Sequence, residues 1–284
     1  MRPEAGQASL AHLAAQLATR CPAELGREIA VTGSVGAGLA DEHSDLELLL
    51  LVNEVPAVER VRAWLDAVGA TDVLAGADAS GVWAWCRVDG VDVEPFWGTA
   101  REAEAEVDAI LASEAIDHAR LAFAHVVTHC TVVRGAGLLD RLAERCAEYP
   151  ETLARRLIED ALAGWEIPSP RLGGALRGDR LAVQGFLLND SQRVLRIVFA
   201  LNRRWEPPRW KWLAHHAAGL ELAPLRLAQR VQAALVEPDA VAAVHTVHEL
   251  AHETLGLLPP EIEADGARRG TDLRLAELAG LLVP

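Results

Sequence analysis

The residues with most to offer chemically lie in one segment, VTGSVGAGLADEHSDLELLLLV, residues Val31–Val52. Asp45 and Glu47 stand two apart in an otherwise apolar run. Side chains two apart on a strand project to the same face, so these carboxylates converge while Leu46 and Leu48 bury behind them. Like charges at that spacing repel unless a cation sits between them, and a divalent metal is the usual solution. Upstream, Gly33–Ser34 ends the strand-like EIAVTG and opens a short helix. Such a turn offers backbone N–H groups and a hydroxyl to phosphate oxygens. A D-x-E alone is most often a solvated strand edge; joined to a Gly-Ser turn at this distance, it supplies the parts of a metal–nucleoside triphosphate site. The competing motifs fail. Gly33, Gly36 and Gly38 do not make G-x-G-x-x-G, no G-K-[ST] follows, and Thr32 occupies the first glycine of G-x-S-x-G.

A second motif lies near the C-terminus. His248-Glu249-Leu250-Ala251-His252 spells H-E-x-x-H on a segment of helical spacing, the pattern of a zinc protease. A third ligand would have to come from Glu261, Glu263 or Glu277, because the metzincin continuation is absent. The expectation is a polar bundle-helix face that carries His245, His248 and His252, with a zinc metalloprotease through His248, Glu249 and His252 as the remote alternative.

The elements that must position these groups divide the chain in two. The 284 residues carry 41 acidic and 27 basic side chains, for a formal charge of −14. Wholesale nucleic-acid binding through a basic surface is not expected, since that binding draws on paired phosphates. No apolar run approaches the roughly 20 residues of a membrane span, the start lacks a signal-peptide pattern, and the four cysteines are scattered. A cytoplasmic protein is expected. In the first half, helices are expected from Ser9 to Ala18 and from Pro56 to about Val68, and strands over Glu28–Gly33 and Ser44–Val52. Val82–Val88 and Val91–Trp97 flank the tight-turn dipeptide Asp89–Gly90. Beyond about Gly135 the spacing is helical, with breaks at Tyr149–Pro150, Ile167–Pro170, Pro207–Pro208 and Pro259–Pro260. The fold class expected is α+β: a mixed sheet with flanking helices as the catalytic domain (residues 1–135), then a C-terminal helical bundle (residues 136–284).

The Gly33–Val52 segment resembles the signature of the DNA polymerase β-like nucleotidyltransferase superfamily, a Gly-Ser turn followed by two acids separated by one apolar residue. Antibiotic nucleotidyltransferases, which adenylylate aminoglycosides or lincosamides, share it. The resemblance implies a third carboxylate from a later strand. Asp92, just after the glycine-started hairpin, is preferred, with Glu94 as the alternative; the family's second acid is more often Asp than the Glu47 found here. Ala175–Leu213 is similar to the second domain of small bacterial nucleotidyltransferases, with an R-G-D-like helix start, an A-L-N-R-x-[WY] stretch, a proline and a K-W pair. Asp179 then falls early on a long helix and Asn202 near its end. Lys211, the single lysine of the chain, follows Pro207–Pro208 between Trp210 and Trp212, placed to meet a triphosphate as a point charge. Together with Gly33 and Ser34, these form the expected nucleotide-binding set.

The function so implied is transfer of a nucleoside monophosphate, AMP from ATP, onto a hydroxyl of a small-molecule acceptor, an antibiotic among the candidates, with release of pyrophosphate. Two Mg²⁺ ions would be held by Asp45, Glu47 and Asp92, and Asp92 or Glu94 would take the acceptor proton. Toxin-like nucleotidylation of a protein or tRNA, and a nucleotide-binding regulator without turnover, remain open alternatives.

Overall fold

Continuously buried central strands flanked by strands of alternating burial build the sheet that carries the acids. The structure, a computed structural model, describes residues 6–163, 165 and 171–282. The break expected at Ile167–Pro170 and the first residues of the N-terminal segment lie outside them. Six strands, β1 (Glu28–Val31), β2 (Leu46–Val52), β3 (Thr71–Asp78), β4 (Gly81–Val88), β5 (Val91–Thr99) and β6 (Thr131–Arg134), form a sheet of order β3-β4-β5-β2-β1-β6. β2 and β5 run parallel and every other neighbouring pair antiparallel, so the sheet is mixed. The helices are α1 (Gln7–Arg20), α2 (Gly33–Gly36), α3 (Val58–Ala67), α4 (Ala100–Leu111), α5 (His118–His129), α6 (Leu138–Cys146), α7 (Glu151–Leu162), α8 (Arg171–Arg177), α9 (Arg180–Leu201), α10 (Leu213–Ala217), α11 (Leu227–Val236), α12 (Ala240–Gly256) and α13 (Asp265–Leu282). The α+β class with its helical C-terminal region is as expected from the sequence.

The chain clusters into two compact units. One comprises Met1–Ala115 and Arg120–Glu148, the other Ile116–Ala119 and Tyr149–Pro284. In the first, one sheet face is apolar: Leu46, Leu48 and Leu50 of β2, Val82, Ala84 and Cys86 of β4, and Val93 and Trp97 of β5 pack with Leu10, Leu13 and Leu17 of α1 and Val61, Trp64 and Leu65 of α3. Trp97 meets Trp64 edge-on, at 5.9 Å between ring centroids, and its indole N–H donates to Leu25 O at 2.8 Å. By the same alternation the other face carries Glu47, Trp83, Trp85, Arg87, Asp92, Glu94 and Phe96. α6 is tied into this unit by Glu28 of β1, which is buried and accepts from the backbone N–H groups of Ala136 and Leu138 at 2.5 and 3.1 Å.

Two strands were not expected from the sequence. β3, TDVLAGAD, mixes Gly, Ala and Asp and lies at a sheet edge, where pairing with β4 rather than strand propensity decides its conformation. β6 is only four residues long. A third difference concerns Asp45: β2 begins at Leu46, so this carboxylate sits at the mouth of the strand rather than on it.

The second unit is helical. α12 packs against α8, α9, α11 and α13, and Leu172, Val183, Leu187, Val244, Val247 and Leu278 form its core. Among the described residues, no helix is long and apolar enough to cross a membrane.

Candidate functional site

Parallel pairing of β2 with β5 sets the geometry. Glu47 lies directly opposite Glu94 in the register, and neighbouring strands are about 4.8 Å apart. Asp45, at the start of β2, closes the group: one carboxylate oxygen from each of Asp45, Glu47 and Glu94 lies within 4.8 Å of the other two. Asp45 and Glu47 are half-buried and Glu94 is exposed.

The Gly-Ser turn abuts the same carboxylates. The Thr32 N–H donates to Glu47 O at 3.0 Å. Gly33 adopts φ +59°, and a Cβ there would stand 1.8 Å from Glu47 Oε2. Glycine is therefore favoured by the left-handed backbone, and it lets the Glu47 carboxylate lie directly against the turn. Ser34 Oγ donates to Ser44 Oγ at 3.0 Å, and Ser44 donates onward to Asp41 Oδ1 at 3.1 Å. A hydroxyl chain thus ties the turn to the loop that delivers Asp45.

Asp92, the preferred third acid of the sequence reading, is not brought to this group. It pairs with Arg87 across β4 and β5 and accepts from Arg87 Nε at 2.9 Å. Glu94, two residues along the same face, takes the place opposite Glu47. The face was legible in the sequence; the register that chooses between i and i+2 was not.

The donor set fits a hard divalent cation. Three carboxylates of this kind would suit Mg²⁺ or Mn²⁺, hard cations that take oxygen ligands. Among the described residues, this is the one cluster of three or more His, Cys, Asp or Glu side chains placed to share an ion. His248 and His252 belong to no such cluster. His248 Nδ1–H donates to Val244 O at 2.8 Å on α12 itself, whereas His252 is exposed and pairs with Asp272 at 2.9 Å.

The residues expected to bind nucleotide from the helical half have these placements. Asp179 is the N-cap of α9 and pairs with Arg177 at 3.1 Å. Asn202 is its C-cap, and its amide donates to Val198 O and Leu222 O and accepts from the N–H groups of Glu221 and Leu222. Those four bonds use both donors and both acceptor positions of the amide and fasten the end of α9 to the following loop. Lys211 is exposed. Trp210 stacks on His118 at 4.9 Å, and Trp212 is partly exposed.

Sequence reasoning missed a polar network in the helical unit. Glu206 is buried and accepts from His118 Nδ1 at 2.6 Å and from Arg196 Nε at 3.0 Å, and Arg196 also reaches Asp160 at 3.3 Å. His118, Asp160 and Arg196 of this network, with Arg193 and Trp210, help to line a cavity of about 380 Å³. No spacing rule links residue 118 to residue 206, so only the fold exposes this group.

A family model described as a domain of unknown function (DUF4037) matches residues 115–213. A search of the curated proteins finds no match to this chain. Among solved structures, the chain is similar to a nucleotidyltransferase-like protein from Exiguobacterium sibiricum 255-15, at 14% identity and a TM-score of 0.30, with 97% of this chain and 74% of that chain covered. The chemistry of the site rests on its residues and not on this likeness.

Proposed function

We propose that the chain is a metal-dependent nucleotidyltransferase that moves AMP from ATP to a hydroxyl of a small-molecule acceptor. The observation that carries this reading is the convergence of Asp45, Glu47 and Glu94 within 4.8 Å beside a Gly33 turn that touches Glu47. Carboxylates brought this close raise one another's electrostatic cost, which a divalent cation between them offsets. Such a cluster suits a metal-bound triphosphate.

In this reading Asp45, Glu47 and Glu94 hold the divalent metal. Mg²⁺ bound there would offset the phosphate charge and polarise the α-phosphate. Gly33 and Ser34 bind the terminal phosphates and orient the α-phosphorus. Glu94, the most exposed of the three acids, accepts the proton as the acceptor hydroxyl attacks. The new bond joins the acceptor oxygen to the α-phosphorus, the bond to the β-phosphate oxygen breaks, and pyrophosphate leaves.

The test incubates the purified chain with each α-labelled nucleoside triphosphate, Mg²⁺ and a pool of small hydroxyl compounds, and follows label and pyrophosphate. Label on a small molecule, lost with Asp45→Asn, is the expected outcome. Nucleotide binding without transfer, or label only on protein or tRNA, would sink the reading.

A further inference from the structure

Beside the three acids, the sheet unit holds a cleft of about 490 Å³ that Glu47 and Glu94 share with four aromatic side chains. Trp83 and Trp85 come from β4, Phe96 from β5 and Phe123 from α5. Alternation puts Trp83, Trp85, Glu94 and Phe96 on one face of the sheet, the face opposite the apolar core. Trp83 remains 41% exposed, an unusual state for an indole that could have been buried. Its ring lies on β3 at Gly76, where a Cβ would come within 2.7 Å of the indole, so glycine at 76 lets it rest flat on the strand. Trp85 is steadied by the Arg87 guanidinium, 5.5 Å from its ring centroid. The walls are thus set in place and lead directly to two of the carboxylates.

From this placement we infer that the aromatic cleft is the acceptor subsite, and that the acceptor is an uncharged or cationic alcohol with its hydroxyl next to a flat ring. The inference rests on the nucleotidyl-transfer reading and deepens it. In-line transfer requires the entering and leaving oxygens on opposite sides of phosphorus. Across the sheet, the Gly33–Ser34 turn follows β1, the acids stand on β2 and β5, and the tryptophans on β4. With the leaving phosphates on the β1 side, the acceptor approaches from the β4 side, where the aromatic walls stand. Flat rings gain most from such walls. Among the described residues, those lining the cleft include no Lys or Arg, so a polynucleotide acceptor, which depends on paired phosphates, is not served here.

Saturation-transfer NMR on the full chain, with phenyl glucoside and methyl glucoside as matched probes, tests this. The two share their sugar hydroxyls and differ in the ring. Saturation should reach the phenyl probe and pass over the methyl one, and Trp83→Ala or Trp85→Leu should weaken phenyl glucoside binding about three- to ten-fold. Because Trp83 is partly exposed, its variant is expected to fold, which circular dichroism checks. Mn²⁺ should broaden the phenyl signals in the wild type and not in Asp45→Asn. With Mg²⁺, α,β-methylene ATP should leave the phenyl saturation in place. Equal saturation of both probes, indifference to the tryptophan variants, or displacement by the nucleotide analogue would each overturn the assignment, the last by giving the cleft to the base. Tryptophan-dependent binding without Mn²⁺ broadening would instead defeat the metal reading, and with it the acceptor role, while leaving a ring-binding cleft.

Discussion

A single register pairing separates the two candidate third acids. Glu94 faces Glu47, while Asp92 is held by Arg87. Glu94→Gln should therefore lower turnover by about 10²–10⁴-fold, the range for loss of a general base. Asp92→Asn should stay within about ten-fold, because Asp92 pairs with Arg87 and lies outside the three-acid cluster. Steady-state assays of both variants decide it, and the reverse order would return the role to Asp92. Gly33 gives a second prediction. Alanine there sets a Cβ 1.8 Å from Glu47 Oε2 at a backbone of φ +59°. The flexible Glu47 carboxylate moves away first, so the stability loss should be only the backbone strain, about 1–2 kcal/mol. Mn²⁺ affinity, followed by electron paramagnetic resonance, should fall much further than stability. Wild-type affinity in Gly33→Ala would show that the turn does not support the site. The facing of Glu47 and the Gly33–Ser34 turn were legible because strand period and turn chemistry are local, whereas Asp45, expected on the strand, stands just before it. That Glu94 rather than Asp92 lies opposite Glu47 depends on the register of the neighbouring strand, and no local pattern encodes that.

Among the elements, those with a strong period were visible in the sequence: α1, α3, β4, β5 and the Asp89–Gly90 hairpin between the last two. Those set by their neighbours were not, as with the edge strand β3 and the short β6. Glu28 shows how an element is anchored by a residue far away in sequence. Its carboxylate accepts the N–H groups that open α6, a favourable place for negative charge. Glu28→Ala should cost about 3 kcal/mol, since bonds to a charged group are worth about 1.5–3 kcal/mol each. Urea unfolding measures it, and a change below about 0.5 kcal/mol would show that α6 holds its place without the carboxylate. In the helical unit, burial on α12 pushes the His248 imidazole below its ordinary value of 6.5. Its Nδ1–H bond to Val244 and the nearby Asp190 act against that shift, while Arg171 and Arg274 reinforce it. The unfolded chain then binds the proton more readily than the folded one. Stability from this group is complete above the unfolded value of about 6.5 and falls as pH drops towards the lower folded value. The wild type should lose stability between about pH 7 and about pH 5 more steeply than His248→Gln. Identical slopes would show that this imidazole does not titrate on unfolding.

For the molecule as a whole, the three-acid cluster and the net charge act in the same direction. A chain of formal charge −14 is destabilised by its own field, and three carboxylates within 4.8 Å concentrate that cost in one place. A cation that binds only the folded state reverses it, by about 2.7 kcal/mol at a hundred-fold excess over the dissociation constant. Removing one acid should therefore have opposite effects with and without metal. In chelator, Asp45→Asn relieves repulsion and should raise stability slightly, by up to about 1 kcal/mol, since the group is partly solvated. In saturating Mn²⁺ the wild type gains and the variant does not, so the variant becomes the less stable protein. Monovalent salt is the control: it screens the net charge in both proteins and should raise their melting temperatures together. The measurement is a thermal melt of both proteins in chelator, in sodium chloride and in Mn²⁺. Crossing of the two proteins in Mn²⁺ alone is expected of a metal centre built from these acids, whereas parallel shifts in all three conditions would make Asp45, Glu47 and Glu94 an ordinary charged edge of the sheet.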